Sequence, residues 1–298
     1  MKKQFNPTVF IGMPVFNSET TIRKTLESIV SQDYNEWKLF ISDNSSSDMT
    51  RKICEEFASN DARITFHQQP KNIGGWNNFL FVFGKSTGTY FKFQAGDDVL
   101  SENYLSSNVS ELEANNVILG STSPDCFDWE YDQKVMYIDF ELMGPQNSRL
   151  RSLKKNCQRS NGLFYAVFRK TELTKVITAD IFESPIQIKD WLILSKLAVL
   201  GNIKRCSSGL MVLGSNGASN SKNLTWFTQL KGIRAKIFPY FRFYSLVKKA
   251  PGKISFRGIF ELLTWLGLLQ LKHFKGLMWL WVNRYGVRKL GGEPRNGH

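Results

Sequence analysis

Apolar positions along the first two hundred residues recur with two different spacings, and their alternation sets out a chain of strands and helices. Residues 9–13 form a short apolar run of strand length, and residues 37–42, 64–67, 89–94 and 117–121 have the same character. Between these runs the apolar residues fall three and four apart. Residues 19–32 place Ile22, Leu26, Ile29 and Val30 on one side, with Asn17 or Ser18 positioned to cap the first turn. Residues 50–59 read as helix. Residues 74–84 repeat through Trp76, Phe79, Leu80 and Phe83, and residues 101–114 through Leu105, Val109 and Leu112. Strand and helix in alternation predict an α/β fold, a mostly parallel central sheet flanked by helices.

Beyond residue 121 the pattern is less regular. Residues 122–160, which include Gly144-Pro145-Gln146-Asn147-Ser148, predict a mobile loop with at most a short helix, of the kind that closes over a ligand. Residues 161–169 alternate like a strand. Residues 188–200 are nearly all apolar and predict a buried helix stopped by Gly201. A helix over residues 258–282 would bring Ile259, Leu263, Leu266, Phe274, Leu277 and Trp281 to one face. Glu261, Thr264, Lys272 and Lys275 would fall on the other, with Gln270 a flaw in the apolar stripe. The chain thus divides into an α/β unit over residues 1–221 and a helical extension over residues 222–298.

Charge sharpens that division. Residues 222–298 carry 15 Lys and Arg against Glu261 and Glu293, which accounts for the whole formal net charge of +13. The same segment is aromatic, as in Phe238-Pro239-Tyr240-Phe241-Arg242-Phe243-Tyr244 and Leu277-Met278-Trp279-Leu280-Trp281. Basic residues with interleaved aromatics suit an anionic membrane surface. Nucleic acid is not expected, since no recognisable binding module accompanies the charge. The plainer reading of the stripe is packing on the α/β unit.

Other signals narrow the chemistry by exclusion. Cys54, Cys126, Cys157 and Cys206 are widely spaced and form no CxxC pair, which fits a reducing cytoplasm rather than a disulfide framework or a zinc site. His67, His273 and His298 lack metal-ligand spacing. The apolar stretch at residues 9–16 is interrupted by Gly12 and Pro14 and reads as a strand, not a signal peptide. No uncharged apolar window is long enough to predict a spanning helix. Gly84-Lys85-Ser86 lacks the earlier glycine of a P-loop, and the turn after the first strand lacks GxGxxG spacing.

What remains is two acidic clusters, each directly after a strand. Asp43-Asn44-Ser45-Ser46-Ser47-Asp48 follows residues 37–42, and Gly96-Asp97-Asp98 follows residues 89–94. Acids that terminate neighbouring strands of an open α/β sheet point into the crevice where such sheets bind ligands. Paired hard-oxygen donors there suit Mg2+ or Mn2+ shared with phosphate oxygens, which makes a sugar-nucleotide site the leading hypothesis. The alternative for each cluster is local: a turn and a helix cap.

In order and spacing, Pro14-Val15-Phe16-Asn17-Ser18-Glu19, Asp43-Asn44-Ser45-Ser46-Ser47-Asp48, Asn72-Ile73-Gly74 and Gly96-Asp97-Asp98 resemble the family 2 glycosyltransferases of GT-A fold. Residues 89–105 resemble bacterial surface-polysaccharide members in particular, and a looser likeness extends to Asp190 within Ile188-Lys189-Asp190-Trp191. The resemblance implies that Asp43 reads the ring N–H of uracil or thymine, that Pro14, Asn17 and Glu19 line base and ribose, and that Asn72 and Gly74 shape the donor site. It further implies that Asp97 binds ribose, that Asp98 ligates Mn2+ or Mg2+ on the diphosphate, and that Asp190 is the general base of an inverting transfer. Asn44 and Ala95 stand where many members carry further acids, and Lys189 where an acid often precedes the base.

The expected partners are a nucleotide-sugar donor, a glycan or polyprenyl-linked acceptor and an anionic membrane surface. The expected location is the cytoplasm, peripheral on the inner face of the cell membrane, in envelope polysaccharide synthesis. A nucleotidyltransferase, and a non-catalytic nucleic-acid binder using the basic segment, are the alternatives.

Overall fold

The computed structural model describes residues 8–127, 136–138, 140–156, 162–183, 188–214 and 239–281. Seven strands pair into one sheet. One side of it is built from β1 (Val9–Val15), β2 (Trp37–Asp43), β3 (Ile64–Gln68) and β4 (Tyr90–Phe93). Beside them lie β6 (Ile118–Thr122), β9 (Val167–Arg169) and β10 (Asn202–Arg205), in the order β10-β6-β9-β4-β1-β2-β3. Every neighbouring pair is parallel except those made by β9, which runs against both β4 and β6. A second, four-stranded sheet joins β5 (Val99–Leu100), β11 (Met211–Leu213), β7 (Asp125–Phe127) and β8 (Met136–Ile138) in that order.

Alternation along β1 shows why this sheet is buried on both faces. Val9, Ile11, Met13 and Val15 pack with Ile22, Leu26 and Ile29 of α1 (Ile22–Val30), Cys54 of α2 (Thr50–Asn60), and Leu105, Val109 and Leu112 of α4 (Tyr104–Ala114). Phe10 points the other way, into a core with Val82 and Phe83 of α3 (Gly75–Gly84) and Phe91 and Phe93 of β4. Period-two alternation thus assigns each strand residue to one of two cores. Gly12 fits between them because a Cβ there would meet the Phe91 ring at 2.9 Å.

Differences from the expected pattern fall mainly in the second half. Residues 122–160 hold β7, β8 and the eleven-residue helix α5 (Gln146–Asn156). Only Leu150, Leu153 and Arg149 of α5 are buried. The Arg149 guanidinium donates to Ala198 O (2.8 Å) and Val199 O (3.3 Å), carbonyls that end α8 (Lys189–Leu200). A cation at those carbonyls satisfies acceptors with no partner within their own helix. Gly201 follows α8 with extended backbone, φ −174°. It admits close packing rather than a left-handed turn: a Cβ there would stand 2.9 Å from Leu119.

The strand expected over residues 161–169 is confined to β9 and is preceded by a 3-10 turn, Gly162–Tyr165. The Tyr165 carbonyl accepts from Lys92 Nζ (2.7 Å) and Tyr104 Oη (3.3 Å) instead of a neighbouring strand. Asn161 lies outside the described residues. Two short helices, α6 (Lys170–Val176) and α7 (Ala179–Glu183), then lead to α8.

The basic segment contributes α9 (Pro239–Lys248) and α10 (Phe256–Trp281). Phe243, Leu246 and Val247 of α9, with Leu262, Trp265, Leu266 and Leu269 of α10, join the core that contains α8. The buried side of α10 is therefore rotated from the expected stripe: Leu263 is 49% exposed, whereas Glu261 is only 5% exposed. Glu261 is buried because it is paired, to Arg151 at 2.6 Å and Lys154 at 2.6 Å, both from α5. The Phe274, Leu277 and Trp281 side chains, and residues 215–238, where the two halves were expected to divide, lie outside the described residues.

Candidate functional site

The loops that follow β1, β2, β3 and β4 all open on the carboxyl end of the sheet and are stitched together there. Asp43 closes β2 in register with Val15 and is fully buried. Its carboxylate accepts from Ser46 N at 3.2 Å and from the Ser46 hydroxyl, so the turn after β2 folds over it. Asn17, at φ +49°, a region Asn tolerates better than most residues, accepts from Ser47 N at 3.0 Å and gives its own N–H to Ser46 Oγ at 2.9 Å. Neither Asn17 nor Ser18 caps α1 through its side chain; Ile22 N instead donates to the Ser18 carbonyl. Glu19 and Asp48 are reciprocal: Glu19 N donates to Asp48 at 3.1 Å, and Met49 N to Glu19 at 2.8 Å. Asp48 also accepts from Thr50 N at 3.0 Å, the helix-start role weighed above.

Asn44 makes the link to the next loop. Its amide accepts from Ile73 N (2.8 Å) and donates to Asn72 Oδ1 (3.0 Å), which in turn accepts from Gly74 N (2.8 Å). Gly74 has φ +87°, a conformation that favours glycine and turns the chain into α3. Pro14 lies half-buried on β1 beside Ser42. Pro14, Asn17, Glu19, Asp43, Asn72 and Gly74 therefore occupy one continuous edge.

Across β1 from that edge lie the second acids. Thr21 Oγ1 donates to the Gly96 carbonyl at 2.8 Å, so the turn after β1 touches both acidic loops. Asp97 is half-buried and Asp98 is 4% exposed. Asp98 accepts from Gly214 N at 2.9 Å, and a Cβ on Gly214 would stand 2.5 Å from the Asp97 carboxyl carbon. Burial, then the charge of Asp97, pushes the Asp98 carboxyl up from the ordinary carboxylate range. Lys92 sits beneath, fully buried, with its ammonium donating to Phe93 O (3.1 Å) and Tyr165 O (2.7 Å), 5.1 Å from the Tyr104 ring centre. Burial lowers its pKa, and the charge of Asp98 opposes that shift.

Asp190 joins this group through Tyr165. The Tyr165 phenol is pushed well above its ordinary range by burial, then by the charges of Asp98, Asp190 and Asp97. Three acids from two distant stretches of sequence are thus near enough for their charges to act on one phenol. Asp190 is half-buried in the first turn of α8. Lys189 points into the protein, 3% exposed, with its ammonium 5.8 Å from the Trp76 ring centre and its pKa lowered by burial to about 8.

Lys92, Tyr165 and Gly214 were not singled out by sequence reasoning. Lys92 alone left a trace there: a lysine two positions from Tyr90 in a strand buried throughout. Ser215 and Asn216, which follow Gly214, lie outside the described residues.

The acid pair fits a hard cation. Two adjacent carboxylates, one raised by burial and by its neighbour, gain from a divalent ion shared with phosphate oxygens. Among the described residues no three His, Cys, Asp or Glu side chains converge, so ligand oxygens would complete the coordination.

The family model for glycosyl transferase family 2 matches residues 10–172, and the chain belongs to that family. Among curated relatives, the Escherichia coli UDP-Glc:alpha-D-GlcNAc-diphosphoundecaprenol beta-1,3-glucosyltransferase WfgD is 26% identical over 159 residues, 50% of this chain. The match spans 56% of that enzyme's length, and less of the other relatives'. Among solved structures, the mannosyltransferase PcManGT from Pyrobaculum calidifontis, in complex with GDP-Man and Mn2+, superposes with a TM-score of 0.59 at 13% identity. That match covers 98% of this chain and 78% of PcManGT. S. aureus TarS 1-349 with UDP-GlcNAc gives a TM-score of 0.53 at 14% identity, over 81% and 71% of the two chains. These likenesses establish the GT-A type of α/β fold.

Proposed function

We propose that the protein is a metal-dependent inverting glycosyltransferase that moves a sugar from a UDP- or dTDP-sugar to a hydroxyl of a glycan on a polyprenyl-linked acceptor. One observation carries the reading: Asp97, Asp98 and Asp190 all bear on Tyr165, while Asp43 closes the strand on the other side of β1. Asp43, Pro14, Asn17 and Glu19 hold the nucleoside, Asn72 and Gly74 shape the loop beside it, and Asp97 takes the ribose. Asp98 would hold Mn2+ or Mg2+, which would supply positive charge against that developing on the departing diphosphate. Asp190 removes the proton of the acceptor hydroxyl as its oxygen bonds to the anomeric carbon. The bond from that carbon to the diphosphate breaks on the opposite face, and the nucleoside diphosphate leaves.

Support for the acceptor class comes from WfgD, whose name specifies a diphosphoundecaprenol-linked acceptor. Envelope polysaccharide assembly at the cytoplasmic face, with the enzyme peripheral on an anionic membrane surface, is the setting that fits such an acceptor and the basic segment. No helix among the described residues is long and apolar enough to cross a membrane.

The test is a donor panel. The protein with Mn2+ is incubated with UDP-, dTDP- and GDP-sugars without acceptor, and nucleoside diphosphate release is followed. Slow release of UDP or dTDP is expected. Release of GDP alone would overturn the pyrimidine assignment, pyrophosphate release in a parallel incubation with UTP or dTTP and sugar 1-phosphates would indicate a nucleotidyltransferase, and no release with salt-sensitive nucleic-acid binding would leave the non-catalytic reading.

A further inference from the structure

Helix α10 has two apolar faces, and among the described residues only one is packed against the core. Leu262, Trp265, Leu266 and Leu269 are buried against the core. On the other face Phe256 is 85% exposed, Phe260 62%, Leu263 49% and Leu271 60%. With Gly267 these residues stand at i, i+4, i+7, i+11 and i+15, a single line along the helix, and Leu268 lies alongside at 54%. Sixteen residues of helix extend about 24 Å, so the line is long and unbroken by any polar side chain. Contiguous apolar exposure of this kind marks an interaction surface.

Charge around the line identifies the partner. Lys248, Lys253 and Arg257 are exposed at its near end, as is Lys249, which lies 3.9 Å from Asp180. The only acid within residues 239–271 is Glu261, which is buried and held by Arg151 and Lys154. Where α10 begins, a groove of about 280 Å³ is lined by Phe256 and Phe260 together with Asn147, Arg151, Arg257 and Glu261. Arg151 is engaged by Glu261, so it is the Arg257 guanidinium beside the aromatic rings that suits a phosphate headgroup with its hydrocarbon beneath.

We infer that the line from Phe256 to Leu271, with Arg257 and the groove beside Phe256 and Phe260 at its head, docks the protein onto an anionic phospholipid surface, with α10 lying in the interface plane. This rests on the proposed lipid-linked acceptor, and it names the surface that brings the enzyme to it. The geometry connects the two. Trp265 meets Trp191, the neighbour of Asp190, at 6.0 Å between ring centres. At the other end Gln146 of α5 ties Val199 O (3.1 Å), near the end of α8, to Lys253 O (3.2 Å), just before α10. A docked α10 is thus linked, through Trp265 and through α5, to the helix whose first turn bears Asp190.

The test sediments the full chain with vesicles of phosphatidylcholine, with or without about a third phosphatidylglycerol. Wild type is expected to partition several-fold more strongly to the anionic vesicles. The triple variant Phe256→Ser, Phe260→Ser, Leu263→Ser should lose partition on the order of tenfold, and Arg257→Glu should lose mainly the anionic preference. All three changed side chains of the triple variant are exposed, and an unchanged Tm checks its fold. Wild-type protein that ignores vesicles, or a triple variant that binds as well as wild type, overturns the inference. A dimer that becomes monomeric in the triple variant while vesicle binding persists would assign the face to a second copy instead. Acceptor-free donor hydrolysis, measured on the same samples, should be equal in wild type and triple variant. Absence of hydrolysis in both, with vesicle binding intact, would defeat the proposed function and leave the docking surface standing.

Discussion

Asp98 and Glu261 are both buried carboxylates, 4% and 5% exposed, and the protein treats them in opposite ways. Glu261 lies between α5 and α10 with two cations on it; bonding to Lys154 and then Arg151 holds it below the ordinary carboxylate range. Asp98 follows β4 with one backbone N–H from Gly214; burial and the charge of neighbouring Asp97 push it up, and the buried Lys92 ammonium only partly opposes that shift. A buried charge is tolerated when it is paired, and an under-compensated one changes its protonation or waits for a cation. The helical region therefore holds its buried acid ionised by direct pairing, while at the strand ends burial pushes the Asp98 carboxyl up. That asymmetry is what the proposed metal role of Asp98 requires, although both acids are buried to the same degree.

The largest expected break in this comparison is at Asp190. Asp190→Asn should lower transfer by about three orders of magnitude, within the range for loss of a general base, while UDP affinity changes by less than about twofold. Initial rates and calorimetric titration separate the two; retained transfer would place the base elsewhere. Next in size is a pair of glycines. Gly214→Ala drives a methyl group into the Asp97 carboxyl and should destabilise the fold by about 1–3 kcal/mol and weaken donor binding. Gly267→Ala, with open space around its Cβ on α10, should stabilise by up to about 1 kcal/mol through helix propensity. Equal effects in denaturant titrations would erase the contrast between the two regions.

The smallest effect is on pH dependence, and its sign differs between the acids. Asp98 has a raised folded pKa, so above the ordinary carboxylate range the folded state keeps a proton that the unfolded chain has released. Its contribution is present at low pH and is lost as pH rises through the folded value. Glu261 has a lowered folded pKa, so its contribution is present above the unfolded value and is lost as pH falls through the folded one. Asp98→Asn should remove the first slope from a stability–pH profile and Glu261→Gln the second, each at most about 1.4 kcal/mol per pH unit. Profiles that both variants alter in the same direction would contradict the comparison.

How much of this was legible in the sequence differs between the two regions for a physical reason. β1, β2, β4 and β6 announce themselves through local apolar runs, and the acids that end β2 and β4 follow directly, so the strand-end edge could be read residue by residue. Helix α5 could not, because its burial depends on Arg149 reaching the carbonyls that end α8, some fifty residues away. The same holds for α10: periodicity set Glu261 on the polar side, but pairing with Arg151 and Lys154 turned it inward. Lys92 and Gly214 matter only through what the fold brings to them: the Tyr165 carbonyl to Lys92, and the acid pair to Gly214. Local pattern reveals groups that act where they stand, and hides those that act through distant partners.

The central claim is that the acid pair after β4 is completed by a cation shared with a nucleotide diphosphate. Its most direct test is calorimetric titration of UDP, and separately of dTDP, into wild type and Asp98→Asn with and without Mn2+. Wild type should bind one of them on the order of tenfold more tightly with Mn2+ than without it, and the variant should show the same weak affinity in both conditions. Mn2+ enhancement of equal size in the variant would contradict the account.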